Sequence, residues 1–438
     1  MAMTKVITRF PPSPTGYFHI GSARTALFNY LFAKNNNGEM ILRFEDTDKE
    51  RSKPEYEKDI LEGLNWLGIK HDNDSVPKQS ERLGVYRKHL QELINKDIAY
   101  ISKEKEGKRD EVIRFRNPNT KIKFNDLIRE EVEFDTTDLG DFIIAKSLDE
   151  PVYHLTVVVD DYETDITHVI RGEDHISNTA RQILILEALG FARPIYVHIP
   201  LILAADRSKL SKRHGAVSIM EYKEMGYLPE AIVNYLALLG WNPGTEKEIF
   251  SMDELIGEFS LGKVQKGGAV FNSEKLDWIN KKHLGKLTNE EFVDIAREHI
   301  PENLKNFPNF DLLLASIRER INKTSDIDKL AEDGEFDFYI DEPEMNPEKI
   351  VWKDEGNSAA KENLKKVVSL LERVDDFSYE GVKSAVQPFA DERGRGSVMH
   401  PMRIALTGRD KSPDPFTIAG ILGKEQTIIR LNRAIELL

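Results

Sequence analysis

The chain of 438 residues is long enough for about three domains, and its 40% hydrophobic and 31% charged residues describe a globular protein with ample core. It has no cysteine, which excludes disulfides, thiolate nucleophiles and cysteine-ligated zinc. The net charge of −14 argues against general nucleic-acid binding, but the excess acid is concentrated in residues 326–380, so basic patches elsewhere can still bind phosphate.

The first feature in chain order is a glycine-containing turn between a strand and a helix. Residues 5–8 predict a buried strand, and apolar residues at helical spacing begin at Ala23. Between them lie Gly16, His19 and Gly21. Such a turn aims free backbone N–H groups and the positive end of a helix at one point, which suits phosphate. The alternative on this stretch alone is an ordinary turn with a surface histidine.

A second predicted strand, Glu39–Phe44, ends in a polar cluster that begins with Glu45. In a doubly wound sheet the carboxyl ends of the strands form the edge that binds ligands, so Glu45 is at a candidate site. Over residues 71–150 the pattern becomes weaker and more charged, with a helix that opens at Gln79. We interpret this stretch as an insertion between two halves of a nucleotide-binding sheet.

The sheet is predicted to resume after the insertion. Val152–Val159 predicts a buried central strand, and Ile166–Ile170 predicts the next one. A helix is predicted over Asn178–Leu189 and a further strand over Pro194–Ile199. The alternation of strands and helices indicates an α/β fold with a Rossmann-like parallel sheet.

The loop after that strand is strongly basic, with four cations in the seven positions from Arg207 to Arg213. A charge run of this kind is usually a solvated surface. Beyond Gly240 strand patterns nearly vanish, and helical periodicity predicts an all-α remainder. The longest helices are predicted over Phe310–Ile321, Ala359–Arg373, Tyr379–Arg393 and Thr417–Leu437.

Taken in order, several segments resemble bacterial glutamyl-tRNA synthetases, which are class I aminoacyl-tRNA synthetases. The segments are Arg9–Gly16, His19–Asn29, Leu42–Asp48, Val158–Asp161, His168–Asp174, Lys209–Gly215 and, in the anticodon-binding region, Pro401–Gly408. The glycine turn and the basic loop resemble the two ATP signatures of the class, known as HIGH and KMSKS. The resemblance therefore touches nearly the whole chain.

The resemblance implies a Rossmann-like catalytic domain with an inserted acceptor-binding subdomain, followed by all-α stem-contact and anticodon-binding domains. The predicted boundaries are 1–70 for the first half of the sheet, 71–151 for the insertion, 152–240 for the second half with the basic loop, 241–300 for the stem-contact region and 301–438 for the helical anticodon-binding domain.

The activity implied is ATP-dependent ligation of L-glutamate to the 3′ end of tRNA-Glu. The glutamate α-carboxylate attacks the α-phosphate of ATP and gives glutamyl-adenylate and pyrophosphate; the terminal adenosine hydroxyl of the tRNA then takes the acyl group and releases AMP. Neither step needs a protein nucleophile, so catalysis is mostly positioning and stabilisation of charge on the leaving pyrophosphate. Mg²⁺ is expected to accompany ATP, and no zinc is expected.

The resemblance also implies which residues bind each substrate. ATP would be bound by Gly16, His19, Gly21, Lys209, Ser211 and Lys212. The catalytic residues among these would be His19, Lys209 and Lys212. L-Glutamate would be bound by Arg9, Ser13, Glu45, Tyr153 and Arg171. Within that set Glu45 would bind the ammonium group, and the arginines would bind carboxylates. Structural ion pairs are the alternative for Arg9 and Arg171, and core packing is the alternative for Tyr153.

Two departures from the family pattern are visible: Ser22 replaces a second histidine, and Leu210 replaces the methionine of KMSKS. Two other functions remain open. One is a related adenylate-forming transferase that acts on a small molecule or a tRNA base; the other is a non-catalytic tRNA-binding protein. The long helical C-terminus argues against the first, and the retained lysines, glycines, His19 and Glu45 argue against the second.

Partners and location follow from the same observations. We expect a monomer that binds tRNA-Glu and L-glutamate. No run of about 18 apolar residues could span a membrane, and the first strand begins too early for a signal peptide, so a cytoplasmic location is expected. Relatives that discriminate between tRNAs often carry an arginine near the position of Gln387. The neutral side chain at this position predicts that the protein also attaches glutamate to tRNA-Gln.

Overall fold

The computed structural model describes residues 5–104, 111–210 and 217–438, and the chain forms two compact units, Met1–Asn280 and Lys281–Leu438. Strands β1 to β12 span Ile7–Phe10, Glu39–Leu42, Ala99–Lys103, Glu111–Phe115, Lys121–Asp126, Glu130–Asp135, Phe142–Ser147, Glu150–Pro151, His168–Gly172, Ile195–Ile199, Ile202–Leu203 and Ala269–Val270. Helices α1 to α9 span Ile20–Asn35, Pro54–Trp66, Leu83–Asn95, Tyr153–Glu163, Ile176–Ala188, Ile219–Glu224, Pro229–Leu238, Met252–Glu258 and Ser273–Leu284. Helices α10 to α18 span Asn289–Ala296, Phe310–Arg320, Asp326–Glu332, Asp337–Ile340, Pro347–Ile350, Asn357–Leu371, Tyr379–Arg393, Arg395–Thr407 and Pro415–Leu437.

A parallel sheet forms the centre of the first unit. Strand β1 pairs with β2, and β9 pairs with β10, each in parallel. Thr167, the residue before β9, donates its N–H to the Ile7 carbonyl oxygen at 3.0 Å, which places β1 beside β9. The strand order is therefore β2-β1-β9-β10. The chain moves outward from β1 in one direction and later returns to its other side, so the carboxyl ends of β1 and β9 form a topological switch point, the usual ligand site of such sheets.

The predicted insertion contributes to two sheets. Strands β3, β4, β7 and β8 form an antiparallel sheet. The hairpin of β5 and β6 instead joins the central sheet, because β5 pairs in parallel with β10, with Asp126 opposite Tyr196. The carboxyl end of β5 therefore lies at the same edge of the sheet as the switch point.

The prediction of a strand over Val152–Val159 is wrong, because these residues belong to helix α4. Residues 155–160 of this helix are all buried, so it has too little exposed surface to show a polar face in the sequence. A continuously apolar run is compatible with a buried helix as well as with a buried strand, and periodicity alone does not separate the two. The helical form carries Asp160 and Asp161 into the centre of the unit.

The other elements agree with the sequence-based expectation of an α/β fold with a helical C-terminal part. Strand β9, helix α5 and strand β10 lie close to their predicted positions. Gly190, two residues after the end of α5, has a left-handed backbone conformation with φ +74°. The second unit contains helices α10 to α18, and α18 is interrupted at Gly423, whose φ is 79°. Of the helices in the described residues, none combines the length and apolar character needed to span a membrane.

Candidate active site

A cavity of about 570 Å³ opens at the switch point. Eight of the predicted site residues line it: Arg9, Ser13, His19, Gly21, Glu45, Tyr153, Arg171 and Lys209. The fold thus brings the first turn of the chain together with a lysine that comes far later in the sequence. Gly16 is not among the lining residues. Ser211 and Lys212 lie outside the described residues.

Lys209 reaches the cavity on a short hairpin that begins with β11. It pairs with Leu203 across the hairpin. Its ammonium group lies 2.9 Å from Asp174 Oδ2, and both side chains are partly exposed. An exposed ion pair of this kind is weak, so exchange of Asp174 for a ligand phosphate costs little.

His19 caps helix α1. Its Nδ1 accepts the backbone N–H groups of Gly21 at 3.1 Å and of Ser22 at 3.3 Å. Nδ1 is therefore unprotonated, and Nε2, which lies 3.3 Å from Ser22 Oγ, carries the N–H group that can donate a hydrogen bond to a ligand. Gly21 eases this close approach, because a Cβ at that position would lie 3.2 Å from His19 Cε1, a tight contact that the imidazole could relieve only by shifting. The cap holds the imidazole at the positive end of the helix, beside the cavity.

A chain of alternating charges connects the cavity to helix α4. Arg9 Nε lies 3.3 Å from Asp161 Oδ2, and Arg9 Nη1 donates to the Ile170 carbonyl oxygen at 3.2 Å. Arg43 joins Asp161 to Glu45, at 2.6 Å and 3.0 Å respectively. The order is Arg9, Asp161, Arg43, Glu45. Because Asp161 is shared, the two arginines are held in one arrangement.

Burial affects the members of this chain differently. Burial lowers the pKa of Arg9 and, against the opposing charge of Arg43, raises the pKa of Glu45. Asp161 is mostly buried, with 13% of its side chain exposed, which favours its neutral acid, yet the charges of Arg43 and Arg9 hold its pKa below the ordinary value. Asp161 is therefore the permanent counterion of the arginines. Of the groups in this chain, Glu45 is the one whose ionised form would be stabilised most by an additional cation in the cavity, such as an ammonium group.

Arg171 is held in a different way. Its Nε donates to His198 Nε2 at 3.2 Å, and its Nη2 donates to Thr179 Oγ1 at 2.8 Å. Nη1 is buried and has no hydrogen-bond partner among the described residues. Neither of the two groups that hold this guanidinium is a carboxylate. A buried cation with an unused donor at the edge of a cavity is suited to an anionic ligand.

Tyr153 and His175 form one wall of the cavity. The Tyr153 hydroxyl group lies 3.0 Å from His175 Nδ1. Burial, followed by the charge of Arg171, lowers the pKa of His175 to about 4, so the imidazole is neutral near neutral pH. Tyr153 is thus a neutral hydrogen-bonding group in the wall and not only a packing residue.

Five further residues hold the site together, although no role was predicted for them from the sequence: Arg43, Asp126, Asp161, Thr179 and His198. Arg43 and His198 each lie within an apolar strand segment, and both are buried. A charged or titratable residue inside a strand that otherwise reads as core is rarely buried without a partner. That pattern could have identified both, whereas Asp126 and Thr179 have no comparable signature.

Comparison with protein families agrees with this geometry. Residues 5–111 and 101–278 match the catalytic domain of class I tRNA synthetases (E and Q), and residues 291–435 match an anticodon binding domain. The chain therefore belongs to the class I tRNA synthetase family.

The similar proteins narrow this assignment. Glutamate--tRNA ligase 1 of Caldanaerobacter subterraneus subsp. tengcongensis is 40% identical, over 99% of this chain and 98% of the relative. The glutamate--tRNA ligase of Carboxydothermus hydrogenoformans is 41% identical, over 97% and 99%. A crystal structure of a glutamate tRNA ligase from Elizabethkingia meningosepticum, in complex with its amino acid, matches with a TM-score of 0.83 and 32% identity over 99% of each chain. These relatives place the chain in the glutamate–tRNA ligase branch of the family.

Proposed function

We propose that this protein uses ATP to ligate L-glutamate to the 3′ end of tRNA-Glu, through a glutamyl-adenylate and with release of pyrophosphate and AMP. The observation that carries the proposal is the buried Nη1 of Arg171, which has no hydrogen-bond partner in the described part of the chain and lies in the same cavity as the capped end of helix α1. One feature suits a carboxylate and the other suits a phosphate. Adenylate formation requires both groups side by side.

In this proposal the glutamate lies between Arg9, Arg171 and Glu45. The arginines bind its carboxylates, Glu45 binds its ammonium group, and Ser13 and Tyr153 supply hydrogen bonds. Glutamine would place a neutral amide against a buried cation, and the charge of that cation would remain uncompensated. The cavity thus favours the acid over its amide.

ATP is assigned to the other side of the cavity, at the end of helix α1. His19 Nε2 and the close approach permitted by Gly21 serve the phosphates, and Lys209 exchanges Asp174 for a phosphate oxygen. Gly16, Ser211 and Lys212 are assigned to ATP by resemblance alone. Among the described residues no group of three or more potential ligands could hold a metal ion. Mg²⁺ would accompany ATP, since phosphate oxygens and water can supply most of its ligands.

The reaction needs no nucleophile from the protein. The glutamate α-carboxylate oxygen forms a bond to the α-phosphorus of ATP, and the bond to the pyrophosphate oxygen breaks. Then the tRNA hydroxyl oxygen attacks the acyl carbon, and AMP leaves. The residues contribute by orienting the carboxylate and by stabilising negative charge on the leaving pyrophosphate.

The direct test is pyrophosphate exchange with glutamate, ATP and tRNA present, compared between the natural protein and Lys212→Ala. We expect glutamate-dependent exchange in the natural protein, and a loss of kcat of about 10²–10³ in the variant, because a cation that meets charge developed in the transition state is removed. The affinity for tRNA should change far less. Lys58→Ala is the control, since Lys58 is 75% exposed on helix α2. Absence of glutamate-dependent exchange in the natural protein contradicts the proposal.

We further propose that the protein attaches glutamate to tRNA-Gln as well as to tRNA-Glu. Gln387 lies on helix α16, where its Nε2 donates to Asp391 Oδ1 at 2.7 Å. Arg395 Nε donates to the same oxygen at 2.7 Å. The position therefore presents an amide where discriminating relatives often carry an arginine nearby.

Glutamylation of the two purified tRNAs tests this second proposal. We expect product with both, and we expect Gln387→Arg to lower kcat/KM for tRNA-Gln relative to tRNA-Glu by about 5–100-fold, the range of one well-placed arginine contact with a base. The tRNA-Glu reaction is the internal control for folding and catalysis. No detectable glutamylation of tRNA-Gln by the natural protein would end the idea.

A further inference from the structure

A buried chain of hydrogen bonds runs from the inserted segment to Arg171. Asp126 ends β5, His198 lies in the adjacent strand β10, and Arg171 lies in β9. Asp126 Oδ2 is 2.7 Å from His198 Nδ1 and accepts the His198 backbone N–H at 3.0 Å. On the other side of the imidazole, Nε2 accepts from Arg171 Nε at 3.2 Å. All three side chains are buried.

The chemistry of the donors determines where the imidazole proton lies. Arg171 can only donate, so His198 Nε2 must be the acceptor, and the single proton of a neutral imidazole is then on Nδ1. Burial lowers the pKa of His198, which keeps the ring neutral. Asp126 is buried as well, but hydrogen bonds from His198 and from two backbone N–H groups hold its pKa below the ordinary value. An ionised Asp126 therefore selects the tautomer that Arg171 requires.

We propose that Asp126 and His198 are positioning residues that orient Arg171 for the carboxylate of the substrate. This inference rests on the proposed function. His198 and Thr179 hold Nε and Nη2, which leaves Nη1 as the nitrogen available to a ligand. The three strands β5, β10 and β9 each supply one member, so the guanidinium is aligned by the rigid part of the sheet.

The use of a neutral imidazole also affects specificity. A carboxylate in the place of His198 would satisfy the same N–H group but would also compensate the charge of Arg171. The carboxylate of Asp126 is instead separated from the guanidinium by the width of a ring. Because Coulomb attraction falls with distance, more of the Arg171 charge remains for the substrate. This arrangement favours glutamate over glutamine.

Asp126 tolerates little change, because its second oxygen is occupied too. Oδ1 accepts the backbone N–H groups of Ile128 at 2.9 Å and Arg129 at 2.8 Å. An amide at this position must turn its NH₂ group either toward these donors or toward the donors of His198. Either choice places donor against donor. Asp126→Asn should therefore disturb the tautomer or the turn.

Two substitutions of His198 separate the two sides of the ring. The amide of His198→Gln reaches the position of Nε2, so its oxygen can still accept from Arg171. The amide of His198→Asn reaches the position of Nδ1, so it can donate to Asp126 but leaves Arg171 Nε without an acceptor. We expect His198→Asn and Asp126→Asn to raise KM for glutamate by about 10–100-fold, with KM for ATP unchanged. We expect His198→Gln to stay near the natural enzyme.

The measurements are KM for glutamate, KM for ATP and kcat in aminoacylation of tRNA-Glu, with glutamine as the competing amino acid. A double-mutant cycle with Arg171→Lys adds a readout that a merely structural role would not move. If His198 acts through Arg171, His198→Asn has little further effect on KM for glutamate in that background. Should the His198 and Asp126 variants fail to fold, Thr179→Val removes the hydroxyl that accepts from Nη2 and also lies 3.2 Å from His198 Nε2 and 3.3 Å from the His175 carbonyl oxygen, with almost no change in volume, and Thr179→Ser restores it.

Equal KM values for glutamate in His198→Asn and His198→Gln would overturn the inference, as would additive effects in the cycle. In the fallback pair, Thr179→Val with an unchanged KM for glutamate would overturn it. Failure of the proposed function is a separate result: the natural enzyme itself would then not attach glutamate to tRNA.

Discussion

Arg171→Gln is expected to lower kcat/KM for glutamate by a factor of about 10²–10⁴, the effect of truncating one partner of a buried charge pair. The substitution removes the guanidinium that His198 and Thr179 hold beside the cavity. The substrate carboxylate then has one buried donor fewer and loses its charge partner. The loss should appear mainly in KM for glutamate, because the interaction exists before adenylate formation begins.

Pyrophosphate exchange in the presence of tRNA measures this effect, with glutamate and ATP varied separately. Arg171→Lys is the matched variant: it keeps the charge but loses the planar fork, so an intermediate loss is expected. Arg193→Gln is the surface control, because Arg193 contacts only the partly exposed Glu187 and a backbone carbonyl group among its described partners. A natural value of KM for glutamate in Arg171→Gln would remove Arg171 from the proposed site.

The second large effect concerns stability. Asp160→Asn is expected to lower the free energy of unfolding by about 3–5 kcal/mol, the usual result of removing one charge from a buried network. Asp160 is 1% exposed and accepts from Gln79 at 2.8 Å and from Arg82 and Tyr86 at 2.9 Å. Arg43 Nε lies 3.7 Å away. The substitution leaves these donors facing a neutral group that also carries donors of its own.

Urea unfolding followed by circular dichroism measures this change. Asp165→Asn is the control, because it is the same chemical change in the same segment at an exposed position, and the left-handed conformation of Asp165, with φ 52°, suits asparagine equally well. A loss of less than about 1 kcal/mol in Asp160→Asn, within the range of ordinary surface substitutions, would show that Asp160 is not a stabilising hub.

The order of most secondary-structure elements could be predicted from the sequence, because each element depends on interactions between residues close together in the chain. Strand β1 and helix α1, with His19 immediately before it, follow from the spacing of the apolar residues. Helix α4 could not be predicted in the same way. Its side chains are buried on nearly every side of the helix, so its apolar pattern resembles that of a buried strand. Because a strand was predicted here, the positions of the Asp160 and Asp161 side chains were not predicted. The directions of both side chains depend on the helical backbone.

Site residues divide in the same way. Glu45 follows one strand and Arg171 lies near the carboxyl end of another, and these ends share an edge of the sheet, so their approach to one another could be expected from topology. The partners of Arg171 could not, because Asp126 comes from a segment that was interpreted as a separate insertion. Strand β5, which carries Asp126, joins the central sheet through a single residue pair with β10, in which Asp126 lies opposite Tyr196.

By itself the sequence determined the class of fold, the family, and eight of the residues that line the cavity, because these follow from short motifs whose chemistry is local. Only the tertiary structure decided which partner holds each buried polar side chain: Asp161 for Arg9, His198 for Arg171, and Asp126 for His198. Pairing of buried charges depends on distances between segments remote in the chain. No local pattern contains those distances, and the packing of α4 and β5 on the sheet supplies them.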